Sequence, residues 1–139
     1  MNTTSIKFIS ICSLLFTLLS CEKEDKELTM ELIGTWTVEE VARYPNPDII
    51  LVFNKGDKLI LNADNSFNLQ GMNGTWHVTR FPGSSPTLKL EFIGNPPLIA
   101  DIDHSGDRLT LKFYKEIPST EQSSRKRIQL LDVMLKRIK

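Results

Sequence analysis

His77 and His104 are the only two histidines in the chain. General-base catalysis needs such an imidazole aimed at a hydroxyl or thiol held across space. Ser105 stands directly beside His104, but adjacent residues of an extended chain point to opposite sides, so the dipeptide reads as part of a turn. His77 falls on the outer face of a strand. The run Asp101-Ile102-Asp103-His104-Ser105-Gly106-Asp107 matches the opening of an EF-hand calcium loop, D-x-D-x-S-G. That loop closes on a bidentate Glu at its twelfth position, where this chain has Lys112. A cation in that place repels the ion, and the segment reads as a polar hairpin turn. Zinc lacks both a thiolate set and a His pair at ligand spacing. Ser124-Arg125-Lys126-Arg127, with Lys136, Arg137 and Lys139, makes the C-terminal segment basic, yet no aromatic residues interleave with it for base stacking. These residues predict no catalytic site, no metal and no cofactor, and no nucleic-acid partner; the chain reads as a non-enzyme. The basic segment reads as a solvated loop, and a contact with anionic lipopolysaccharide or lipid head groups matches it better than nucleic acid does.

The elements that must position any chemistry begin after an address label. Lys7 precedes an uncharged run from Phe8 to Leu19. As a helix this run spans only about 18 Å at 1.5 Å per residue, short of the roughly 30 Å hydrocarbon core. Residues 1–20 therefore read as an export signal rather than a membrane span. The end of that signal, Leu18-Leu19-Ser20-Cys21, resembles the bacterial lipobox, which implies that Cys21 is diacylated and becomes the first residue of the mature chain. Two or three acyl chains, at about 0.8 kcal/mol per buried CH₂, hold a protein on a bilayer where one does not. Cys12 leaves with the signal, so the exported domain has no thiol for a disulfide, a metal or catalysis. Residues 21–27, with the charged run Glu22 to Glu27, read as a solvated tether. Lys23-Glu24-Asp25 behind the lipidated cysteine also resembles the acidic export signals of Bacteroidetes-type lipoproteins. The implied location is the cell envelope, on the outer membrane, with surface exposure an open alternative.

The remaining 28–139 segment forms one domain. The whole chain has 139 residues, 17 basic against 17 acidic, and 40% hydrophobic residues, a balance that suits neither a disordered chain nor a dedicated polyanion binder. From Leu32 onward the hydrophobic pattern has period two, broken by turn residues every 8 to 12 positions or so. Strands are predicted at about 35–44, 49–53, 58–62, 66–70, 75–80, 87–93, 98–102, 108–115 and 128–137, and the only short helix at Leu28 to Ile33. Leu88, Leu90 and Phe92 share a face, as do Leu109, Leu111 and Phe113. The expectation is an all-β, up-and-down antiparallel barrel of about eight to nine strands, because closure buries the apolar face and removes free edges. A β-sandwich has the same alternation and stays open as an alternative.

Gly34-Thr35-Trp36 follows the short helix and opens the first long strand. In that place it resembles the start of lipocalin and calycin barrels. Leu59 to Phe67 followed by Gly74-Thr75-Trp76 is similar to the compact lipocalin-like lipoproteins of Bacteroidetes-type bacteria. The resemblance implies a barrel floor in which a basic residue of the last strand covers the tryptophan; period two from Leu131, Val133 and Leu135 leads to Arg137 as that residue. Leu130, Met134 and Ile138 make the other face apolar too, which leaves an inverted facing open. The leading expectation for function is non-enzymatic binding of a small hydrophobic ligand, with Trp36, Val38, Phe67, Leu69, Trp76, Leu90, Phe92, Leu111 and Phe113 lining the interior. The alternative is that these residues simply fill the barrel. The protein would then be an envelope or cell-surface interaction module, acting through Phe81 to Pro86 and Gly94 to Pro97 if those loops share one end.

Overall fold

The computed structural model describes residues 23–45, 53–118 and 125–139. The segment expected to be an export signal, Cys21 and most of the strand expected at 49–53 lie outside the described residues. The elements are β1 (Lys23–Glu24), α1 (Lys26–Leu32), β2 (Gly34–Arg43), β3 (Lys58–Leu61), β4 (Ser66–Leu69), β5 (Met72–Arg80), β6 (Thr87–Phe92), β7 (Leu98–Ser105), β8 (Arg108–Pro118) and β9 (Arg125–Arg137). Strands β2 to β9 form a closed eight-stranded antiparallel barrel in which each strand pairs with its neighbours in sequence. The last strand closes on the first, with Trp36 opposite Arg137 and Val41 opposite Val133. Closure leaves the β2 and β9 ladders no open edge.

Turn chemistry accounts for the hairpins. Gln70 and Gly71 both take positive φ (49° and 82°) between the paired residues Leu69 and Met72, the backbone of a two-residue turn that follows strand twist. Gly106, at φ 61°, begins the two-residue turn between Ser105 and Arg108. Two connectors are consequently shorter than the sequence pattern suggests. Met72, Asn73 and Gly74 belong to β5, and Asp103, His104 and Ser105 belong to β7.

Two bulges settle the facing of β9 and β2. Phe113 pairs with Leu131 but Tyr114 pairs with Gln129, which makes Leu130 the extra residue. Leu130 and Leu131 are both buried, an arrangement that consecutive strand residues reach only where the alternation breaks. Beyond the bulge Leu131, Val133 and Leu135 face the core, while Met134 is exposed. On β2 the break falls between Val38 and Glu40 and moves the inward positions from Trp36 and Val38 to Val41.

One expectation about the domain boundary needs correction. Lys23 and Glu24 are not free tether: they pair with Arg80 and Thr79 on the edge of β5, beyond the point where β4 has ended. Asp25 donates its N–H to the Val78 carbonyl, accepts from the Leu28 N–H as the α1 N-cap, and pairs with Arg80 at 3.2 Å. A run of charges is docked here because the exposed ladder groups of β5 supply partners that the linear sequence does not reveal. Helix α1 buries Leu28 and Leu32, one turn apart on one face, against the barrel mouth.

The barrel interior and its two closed ends

Strand direction divides the barrel into a helical end, with α1, the start of β2 and the end of β9, and an opposite end. Consecutive connections of an up-and-down barrel alternate between ends. Phe81 to Pro86 joins β5 to β6 at the helical end, whereas Gly94 to Pro97 joins β6 to β7 at the opposite one. The two proline-containing loops therefore do not share a surface, and the interaction module expected from both together is corrected on that point.

Of the nine residues expected to line the interior, Trp36, Val38, Phe67, Leu69, Trp76, Leu90, Leu111 and Phe113 are at most 1% exposed. Phe92 is partly buried and packs its edge against Phe67, centroids 4.9 Å apart at 89°. A cavity able to hold a ligand would appear as accessible surface on the side chains that line it. These side chains present almost none. Eight strands enclose little more than the side chains of their inward positions. Gly74 shows how tightly: it lies between Phe67 and Phe92 on the inward side of β5, and a Cβ there would fall 2.6 Å from the Phe67 ring.

At the helical end the floor is built on Trp36. Its indole Nε1 donates to the Leu32 carbonyl at 2.9 Å. The Arg137 guanidinium lies 4.4 Å from the ring centroid and donates Nη1 to Ile33 O at 2.9 Å and Nη2 to Glu31 O. Arg137 thus covers the tryptophan and satisfies carbonyls at the C-terminus of α1 that have no partner within the helix. Gly34 sits beneath it at φ 144°, where a Cβ would meet Arg137 Nη1 at 2.8 Å. Trp76 closes the neighbouring sector, its indole N–H donating to Asn62 O at 3.0 Å inside the β3–β4 turn. The two Gly-Thr-Trp sequences therefore solve different packing problems: one glycine makes room for a guanidinium, the other for a phenyl ring.

His104 belongs to this floor and not to a turn. It stands edge-on to Trp36 at 5.9 Å, with Nε2 2.9 Å from Gly106 O and Nδ1 3.4 Å from a Glu31 oxygen. Both ring nitrogens thus lie against oxygen atoms of the floor. The turn expected at Asp103 to Asp107 is shorter than that: β7 runs on to Ser105, and its alternation puts His104 on the face of Ala100 and Ile102. Asp101 and Asp103 sit in the straight part of the β7–β8 ladder opposite Lys112 and Thr110, and Asp101 pairs with Arg127 at 3.2 Å. Among the described residues no group of three or more His, Cys, Asp or Glu side chains converges as a metal site. Arg127, from the basic segment, also lies 4.0 Å over the Tyr114 ring. It is engaged on the barrel wall.

The opposite end carries the feature that sequence reasoning missed. Phe53, expected at the end of a strand, is fully buried in the β2–β3 connection and stacks at 5.2 Å on Phe113. Its loop is held by Arg43 Nη2 donating to Phe53 O at 2.7 Å, and by Gly56 N–H to Val38 O and Val38 N–H to Asp57 O, both 2.8 Å. Asp57 is buried and accepts from the Asn54 N–H and from Gln70 Nε2. The signal was the Asn54-Lys55-Gly56-Asp57 turn, which folds the chain back on itself and turns the preceding phenyl ring inward. Among the described residues, no helix is long and apolar enough to cross a membrane. In comparisons with known proteins, the chain matches no family model and no curated protein.

Proposed function

We propose that this chain is a non-enzymatic, lipid-anchored module of the cell envelope, built on a lipocalin-like barrel whose interior is filled, and that it acts on a protein partner through its outer surface. The observation that carries this reading is the near-complete burial of the interior residues, with Phe53 at one end and Trp36 under Arg137 at the other. The export signal and the lipobox-like Leu18-Leu19-Ser20-Cys21 supply the anchor and the outer-membrane location. At the end away from the helix, Met72 and Ile93 stand exposed near one another, because β5 and β6 pair from Gly74 and Phe92 onward. Ile93 is 95% exposed. Apolar side chains held out on short turns suit recognition of another protein.

The test is native mass spectrometry of the mature protein, purified gently from its own envelope. The expected spectrum shows the acyl mass on Cys21, no small adduct, and a protein complex that Ile93→Ser weakens. A recurrent small adduct lost on denaturation would overturn the filled-barrel reading and restore the ligand carrier. An unmodified Cys21 would remove the anchor.

A further inference from the structure

The pairing of β1 with β5 determines where the anchor leaves the domain. Lys23 lies opposite Arg80, and the next residue of β5's chain is Phe81. Cys21 is two residues before Lys23, and two residues of chain reach at most about 7 Å. The attachment is firm, since Asp25 is tied at once to Val78, Leu28 and Arg80. A diacylated cysteine at that point holds the β5–β6 loop against the lipid head groups, with no slack for the barrel to stand away.

That loop is suited to the contact. Phe81 is 50% exposed although it is large and apolar. The loop has its own turn, Ser84 N–H to Phe81 O at 3.0 Å, and its last residue is tied back to the wall by Ile102 N–H donating to Pro86 O at 3.0 Å. Met30, on α1 at the same end, is 74% exposed. The charges around them, Lys26, Glu27, Arg80, Asp107, Lys136 and Lys139, are of both signs, so the contact draws on apolar insertion rather than on a preference for anionic lipid.

We infer that the helical end of the barrel is a membrane-contact face, with Phe81 inserted into the lipid interface and the Met72 and Ile93 end directed away from the bilayer. This rests on the lipidation of Cys21 proposed above. Because the mature chain has no other cysteine, Phe81→Cys and Ile93→Cys each create a single site for a nitroxide label on the full-length, lipidated protein. The labelled proteins are reconstituted into phosphatidylethanolamine and phosphatidylcholine vesicles, and relaxation by dissolved oxygen is compared with relaxation by a water-soluble nickel chelate. The label at position 81 is expected to favour oxygen several-fold over the label at position 93, and to keep that ratio when salt is raised. Insertion of eight Gly and Ser residues between Cys21 and Lys23 should leave the protein on the vesicles and lower the ratio at position 81. Equal nickel access at both positions, in protein whose mass carries the acyl groups, overturns the contact face while leaving the anchor intact. A mass showing unmodified Cys21 overturns both.

Discussion

Replacing Arg137 with Met tests whether the floor of the barrel is organised as described. The substitution keeps the length of the apolar stem, which continues to pack, and removes only the charged head. Lost with it are the contact over Trp36, worth about 0.5 to 2 kcal/mol, and two hydrogen bonds from a charged donor to the Glu31 and Ile33 carbonyls, about 1.5 to 3 kcal/mol each when intact. Arg137 is half-buried, so water replaces part of this loss, and the expected net destabilisation is about 3 kcal/mol. For a domain of this size that corresponds to a fall of roughly 10 °C in Tm. Urea unfolding followed by the fluorescence of Trp36 and Trp76 reads the change, with the midpoint shifting and the slope unchanged. Arg137→Lys should recover only part of the loss, because an ammonium cannot cover the ring and reach both carbonyls together. Combining Arg137→Met with Trp36→Leu should reveal a coupling of about 1 kcal/mol. A loss below about 1 kcal/mol for Arg137→Met, or strict additivity in the double variant, would show that the floor is held by burial alone.

Phe53→Ala should cost about 3 to 5 kcal/mol in the same assay, as expected for a large ring removed from a packed interior, and should make the barrel take up small apolar dyes; a silent substitution would mean that the ring plugs nothing. Gly74→Ala places a methyl group against the Phe67 ring and 2.1 Å from the Glu91 carbonyl oxygen, so it should destabilise by about 1 to 3 kcal/mol or more, and recovery by a simultaneous Phe67→Leu would identify the ring as part of the conflict. The chain has two tyrosines, and both phenols are raised above their ordinary range: Tyr44 chiefly by the Asp132 carboxylate beside it, then by burial and their hydrogen bond, and Tyr114 chiefly by burial against the opposing pull of Arg127. Their contribution to stability is therefore complete below about pH 10 and fades as pH rises through the folded-state values. An ultraviolet titration of the native protein should show less phenolate than free tyrosine at the pH where the latter ionises, and early ionisation of either one would contradict the arrangement.

Alternation, turn residues and the absence of any long helical period made the all-β class and the strand meander legible in the linear chain. Local chemistry is sufficient there: Leu88, Leu90 and Phe92, or Leu109, Leu111 and Phe113, can be buried together only by a strand. Arg137 follows from what the family resemblance implies, a basic residue of the last strand over Trp36, with the period of Leu131, Val133 and Leu135 and the antiparallel return of a closing strand pointing to its position. Where the alternation broke, sequence was insufficient. Leu130 and Leu131 are equally apolar, and only the register against Phe113 and Tyr114 makes Leu130 a bulge. Length and hydrophobicity likewise say nothing about how the inward side chains pack; along one wall Phe67 and Phe92, from the strands on either side of β5, meet over Gly74.

The apolar run Phe8 to Leu19, the lipobox-like Leu18-Leu19-Ser20-Cys21 and the presence of just two histidines are properties of residue type and order, so the sequence by itself carries them. Tertiary structure alone decided which end of the barrel receives each loop, that Phe53 plugs one end, that His104 joins the Trp36 floor, and that a charged segment expected to float is laid along β5. Each of those outcomes depends on a partner far away in the chain, a free ladder edge at Val78 to Arg80, a ring at Phe113 or a carbonyl at Glu31. No local pattern encodes a contact whose other half is supplied by closure of the sheet.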